Sequence, residues 1–189
     1  MISQQEKTGI VREIKGWSKH VLEPRNPEFN GIPACPYAKA AWREGKVDIV
    51  FKEDKSYELL SNTLENWNED KDLVIIVDTN FIKREDRFHE YNDIVNKRIS
   101  KNTYKDKDLW VMGFHPDDDE QELLDSEEFE PETDTEYALV FVQRLSKLEQ
   151  AAEKLRLIGY YDKYFQEYDV EPMYKLRNKF YRRLEYERC

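Results

Sequence analysis

The chain has 189 residues, a formal net charge of −10, and 37% charged against 39% hydrophobic residues. That length suits one domain, 1–189, with a real core. The acidic balance disfavours a general nucleic-acid binder, which needs a basic surface to displace counterions. No apolar run approaches the roughly 20 residues of a membrane helix. The opening MISQQEKTGIVREIKG lacks the basic-then-apolar order of a secretion signal. Two cysteines, Cys35 and Cys189, are too few for a disulfide scaffold or a four-cysteine zinc site. Together these features lead us to expect a cytoplasmic protein.

Ile10, Ile14, Trp17 and Val21 recur at helical spacing, which predicts an amphipathic helix within residues 4–22 that Pro24 and Pro27 end. Residues 24–36 carry four prolines and a glycine and read as an irregular loop. A short helix from Pro36 to Arg43 follows, closed by Gly45. KVDIVF (46–51) alternates like a strand. Ser56 is placed to cap a helix whose inner face is Leu59, Leu60, Leu64 and Trp67. LVIIV (73–77) is a continuous branched run, the mark of a central strand buried on both faces. Residues 84–100 set Phe88, Tyr91, Val95 and Ile99 on one helical face, and LWVMGF (109–114) is the third strand.

Strand–helix–strand–helix–strand is the pattern of an α/β sheet with parallel crossovers. Residues 115–136 break it with a dense acidic run, expected as a mobile loop. YALVFV (137–142) is a fourth strand, followed by a helix with Leu145, Leu148, Ala152, Leu155 and Ile158 inward. Residues 159–189 form a C-terminal helical extension. After Pro172 it carries the stripe Met173, Leu176, Phe180 and Leu184, flanked by Lys175, Arg177, Lys179, Arg182 and Arg183. The simplest reading of that helix packs its stripe on the sheet and leaves its charges in water. The expected fold is therefore α/β, with about four mainly parallel strands, flanking helices and this extension.

Two stretches carry chemistry. Proline is favoured at the first helical position, so Cys35, before Pro36, is read as a helix N-cap. Helix amides and dipole there favour a thiolate, the nucleophilic and metal-binding form, and Lys39 one turn on could add positive charge. The competing reading is a small cysteine that packs. Glutaredoxins carry Cys-Pro-Tyr-Cys at such a position; here Ala38 stands in the fourth place, so no resolving cysteine is present.

The second stretch is WVMGFHPDDDE. His115 falls just after the third strand and Asp78 at the same end of the second, where α/β folds place ligands. His115, Asp117 and Asp78 could hold a divalent metal, or His115 could simply cap the strand end. The string also resembles the His-Pro-Asp-Asp-Glu motif of LmbE/PIG-L zinc deacetylases, but no histidine pair follows His115.

In order along the chain, Gly-Ile-Pro-Ala-Cys-Pro-Tyr-Ala-Lys-Ala (31–40), a strand ending at Asp78, Glu-Tyr-Asn-Asp-Ile-Val (90–95), Gly-Phe-His-Pro-Asp (113–117) and Tyr-Ala-Leu-Val-Phe-Val-Gln-Arg (137–144) resemble the DUF1415 family of bacterial proteins. The resemblance covers roughly residues 1–158. The matching positions are Cys35, Pro36, Ala38, Lys39, Tyr91, Asn92, Asp93, His115, Pro116 and Asp117. The family's second strand tends to end in His-Pro-Asp, where this chain has Asp78-Thr79-Asn80, and its aromatic and glycine residues after Phe-His-Pro-Asp are acidic here. The resemblance implies the shape of a shared site, with Lys39 and Asn92 as ligand-binding positions, and names no reaction.

Three functions are then open. In the first, Cys35 is a nucleophile or redox thiolate, His115 an acid/base and Asp117 its orienting partner. The second is a metal-dependent hydrolase on Asp78, His115 and Asp117. The third is a non-catalytic binding or regulatory protein that meets a small molecule or protein partner through its acidic loop and aromatic C-terminal helices.

Overall fold

A computed structural model of the protein describes residues 1–104, 107–118, 129, 131–167 and 171–188. Helix α1 (Gln4–Trp17) starts at a capping box in which Ser3 and Glu6 exchange side-chain-to-backbone bonds. It runs into a π-helical turn, Ser18–Leu22. Within the proline-rich segment 24–36, read as an irregular loop, β1 (Arg25–Asn26) and β2 (Ile32–Pro33) form a two-residue antiparallel ladder. Helix α2 (Ala38–Arg43) leads to β3 (Val47–Lys52), then come α3 (Glu58–Glu65), β4 (Leu73–Asp78), α4 (Glu85–Ser100) and β5 (Leu109–Phe114). β6 (Ala138–Arg144) feeds α5 (Leu145–Arg156), and α6 (Tyr164–Glu167) and α7 (Glu171–Arg188) follow. Ser56 does not cap α3; its N–H and hydroxyl both turn back to Asp54.

The main sheet has the order β3-β4-β6-β5. β3 and β4 pair in parallel, whereas β6 pairs antiparallel with both β4 and β5. The sheet is therefore mixed, not mainly parallel. The crossover reading holds for β3, β4 and β5, which share one direction with α3 and α4 between them. What it missed is that β6 returns beside β5 and slips between β5 and β4. An adjacent antiparallel return needs no crossover helix.

Strand alternation splits the core. Val74, Ile76, Val111, Val140 and Val142 face α3 and α4, together with Leu60, Leu64, Phe88, Val95 and Ile99. Ile75, Val77 and Phe141 face α1 with Ile10 and Ile14. β4 is thus the central strand buried on both faces that its sequence suggested. At the β5 end, Trp110 packs with Leu145, Tyr181 and Leu184, which docks α5 and α7. Arg177 corrects the expectation that the charges of α7 lie in water. It is buried, and its Nε donates to the buried carboxylate of Glu149, which Asn178 also meets.

Most of the acidic stretch expected as a mobile loop, 119–128 and 130, lies outside the described residues, as does Cys189. Its described end is anchored: Glu13 of α1 accepts the N–H groups of Glu132 and Thr133 at 2.8 and 2.9 Å.

Candidate metal centre

The carboxyl ends of β3, β4 and β5 lie together, and the sequence placed Asp78 and His115 there. Asp78 is buried and paired with Lys52 at 3.0 Å. The Asn80 N–H donates to the same Asp78 oxygen at 2.9 Å. A cavity of about 20 Å³ lined by Lys52, Tyr57, Asp78, Phe88 and Tyr91 sits beside the pair, roughly the space one water needs. Tyr57 and Tyr91 stack at its rim with centroids 4.2 Å apart, and burial pushes the Tyr91 hydroxyl up to about 12.

His115 is 0% exposed, wedged between the rings of Phe81 and Phe88 at 5.2 and 5.4 Å. Its Nδ1 accepts the Asp117 N–H at 3.2 Å. That bond assigns the ring proton to Nε2, which donates to the Ile82 carbonyl at 3.0 Å. The Asp117 carboxylate, 69% exposed, stands 3.7 Å from Nδ1 and faces water. Since Nδ1 is already an acceptor of a backbone N–H, we read that approach as incidental and not as an ion pair. His115 thus ties the end of β5 to the segment just before α4.

That tie has a consequence. The His115 N–H donates to Asp118 Oδ2 at 2.7 Å, and the Asp118 N–H returns to the His115 carbonyl at 3.0 Å. Asp118 Oδ1 stands 2.7 Å from His89 Nε2, on the second turn of α4. Glu85, one turn earlier at i, i+4, shares the helix face of His89. One ligand atom each from Glu85, His89 and Asp118 lie within 4.8 Å of one another. Glu85 also sits in the first turn of α4, where the helix dipole favours a carboxylate.

The close approach of α4 to β5 is set by Gly113. A Cβ there would stand 2.1 Å from Asn92 Nδ2 and 2.5 Å from the Phe88 ring. One turn further along α4, Asn96 clamps β5, donating to the Val111 carbonyl and accepting its N–H, both at 2.8 Å. Asn92, 4% exposed and packed on Gly113, makes no such bond among the described residues.

The Cys35 neighbourhood is elsewhere. Its N–H bonds to the Leu22 carbonyl at 2.9 Å, at the end of the α1 limb. Its thiol lies near Glu23 and Tyr160. Ala34, beside it, packs with Phe29, Leu155 and Tyr160 in a separate cluster, whereas the rings that hold His115 belong to the α4 face. None of the bonded or stacked neighbours named for Cys35 is shared with His115. The N-cap of α2 is Tyr37, not Cys35. The amides of Tyr37 and Ala38 do reach the sulfur, but burial outweighs them and pushes the thiol up. This is the reverse of the expected acidification. Lys39 is exposed on α2, whereas Asn92, with which the resemblance grouped it, is buried on α4.

The structure therefore assembles Glu85, His89 and Asp118: Asp118 is one residue beyond Asp117, and His89 and Glu85 lie one and two helical turns before Asn92. Two signals could have found them: the Glu-x-x-x-His spacing on a helix already read as amphipathic, and the second aspartate after His-Pro. No family model, curated protein or solved structure matches the chain.

Proposed function

We propose that this protein is a metal-dependent hydrolase whose divalent ion is held by Glu85, His89 and Asp118. The observation that carries this reading is the convergence of one imidazole and two carboxylates, from two chain segments, within 4.8 Å. Nitrogen and carboxylate donors of this kind suit zinc or manganese, and three protein ligands leave coordination positions open. An ion so held would supply Lewis-acid activation of water. Asp118 is oriented by the His115 N–H, the kind of supporting bond that fixes a ligand's geometry. His89 Nε2 and Asp118 Oδ1 meet at 2.7 Å; both atoms would serve as ligands to the ion. The resemblance to DUF1415 belongs to the same reading. Its Tyr91-Asn92-Asp93 segment follows His89 by two residues, and its His115-Pro116-Asp117 segment ends one residue before Asp118.

The test is calorimetric titration of the purified protein with Zn²⁺ and Mn²⁺, paired with hydrolysis of nitrophenyl ester and phosphodiester substrates before and after chelation. One ion per chain is expected, with affinity falling at least tenfold in His89→Ala and in Asp118→Asn, and with any hydrolysis lost to the chelator. Binding that both variants leave unchanged would overturn the site. Saturable metal binding with no chelator-sensitive hydrolysis would overturn the enzyme reading and leave a metal-binding protein.

A further inference from the structure

On the α1 face, a second and larger cavity of about 410 Å³ lies between α1, the ends of β5 and β6, Phe129 and residues 131–137. That volume falls within the range of small-molecule sites. Its apolar walls include Ile14, Trp17, Phe114, Phe129 and Leu139. Trp17 and Phe114 meet edge to face, with centroids 6.2 Å apart. Gly16 leaves room for Phe129, whose ring lies 3.6 Å from where a Cβ would stand.

The polar lining carries one sign. Glu13, Asp134 and Glu136 all border the cavity. Glu136 is paired with Lys83, and Asp134 is exposed. Glu13 is different. It is buried, and its Oε2 accepts from the Glu132 N–H, the Thr133 N–H and the Thr133 hydroxyl, while Oε1 accepts from the Tyr137 hydroxyl. All four donors are neutral groups, and among the described residues no lysine or arginine pairs with it. Burial and this carboxylate together push the Tyr137 hydroxyl well up. A carboxylate away from water without a counter-charge is costly, and Oε1, with a single bond, keeps room for another donor.

We infer that this cavity binds an organic cation: a protonated amine carried on a flat apolar body. The amine would meet Glu13 Oε1, and the body would lie against Trp17 and Phe114, whose ring faces attract positive charge. An anionic ligand of the same shape would face Glu13 and Asp134, besides the Lys83-paired Glu136. The net charge of −10 adds long-range attraction of the same sign. The cavity is lined from the α1 face, whereas Glu85 and His89 stand on α4; Pro116, which also borders it, lies two residues before Asp118.

The experiment uses three probes of one shape, tryptamine, indole-3-acetate and indole-3-ethanol, titrated calorimetrically into the intact protein. Tryptamine is expected to bind at least tenfold tighter than the alcohol, and the acetate most weakly. In Glu13→Gln the amine should fall to the level of the alcohol. Because Glu13 also anchors residues 132–137, that variant is checked by thermal melting, and Trp17→Leu serves as a second variant that keeps the charge. In Trp17→Leu all three affinities should drop while amine and alcohol keep their ratio. Equal binding of the three probes, no binding of tryptamine, or affinities untouched by both variants would overturn the inference. Metal titration of Glu13→Gln should be unchanged, which separates this site from the hydrolase reading.

Discussion

In the turn that opens α2, the Ala38 N–H closes on the Cys35 carbonyl at 3.1 Å; in the turn that follows β5, the Asp118 N–H closes on the His115 carbonyl at 3.0 Å. Both turns have proline in the second place, where its fixed φ is pre-set for the bend. In both, the N–H of the third residue turns in to the first side chain, Tyr37 to the sulfur and Asp117 to Nδ1. The first residue of each turn is thereby spent on holding the turn. They differ in the fourth place. Ala38 is buried and starts a helix, whereas Asp118 presents a carboxylate to His89. The lesson is that the conspicuous Cys-Pro and His-Pro residues build the bends, and the capacity for chemistry sits two residues beyond the proline, in only one of them.

The largest effect should come from cutting the second turn at its root. His115→Ala removes a fully buried ring from between Phe81 and Phe88 and strands the Ile82 carbonyl, so urea unfolding should show a loss of about 3–4 kcal/mol. Cys35→Ala, which removes one sulfur from the first turn, should cost about 1 kcal/mol. Equal losses would break the comparison, because the two first residues would then be equivalent packing groups.

Next in size is Gly113→Ala. The added methyl collides with Asn92 and Phe88, and overpacking of this kind costs about 1–3 kcal/mol. Pushing α4 off β5 also separates His89 from Asp118, so zinc affinity should weaken together with stability. A variant that is destabilised yet binds zinc as before would show that the spacing of α4 does not govern the triad.

The smallest effect concerns the thiol. With Cys189 changed to serine, Cys35 should react with iodoacetamide more slowly in the native protein than in urea at pH 8. Its rate should keep rising beyond the ordinary thiol range. Because the folded thiol is pushed up, the folded state holds its proton where the unfolded chain has lost it. Stability is then intact below the unfolded thiol value and declines as pH rises from there through the folded value. Cys35→Ala should remove that alkaline decline. A native thiol that reacts fastest at neutral pH would restore the acidified-nucleophile reading.

Much of this architecture is written in the sequence. LVIIV reads as a doubly buried strand because both of its faces are apolar, and it lies between β3 and β6. The stripe Phe88, Tyr91, Val95 and Ile99 reads as the inner face of α4; Phe88, Val95 and Ile99 are buried and Tyr91 is half-buried. The direction of β6 is not legible, because YALVFV pairs equally well either way. Only the absence of a helical pattern between 115 and 136 hinted at a return beside β5. The same ambiguity hid the site. His115 and Asp117 are the visible residues of their turn, yet the turn aims His115 inward and Asp117 at water. The i, i+4 pair of Glu85 and His89 gains meaning only once β5 lies against α4. Arg177 could not be told from its exposed neighbours on α7 without knowing that Glu149 faces it.

The clamp of Asn96 on Val111 has a further consequence for how copies of this chain meet. β5 is the last strand of the sheet, and the outward N–H and C=O of Val111 would otherwise stand open to a strand from another molecule. An unguarded edge of apolar residues such as Leu-Trp-Val-Met is a template for intermolecular pairing and aggregation. By seating a side-chain amide on both groups, α4 occupies the outward hydrogen bonds of Val111 at the middle of β5 and withholds them from a foreign strand.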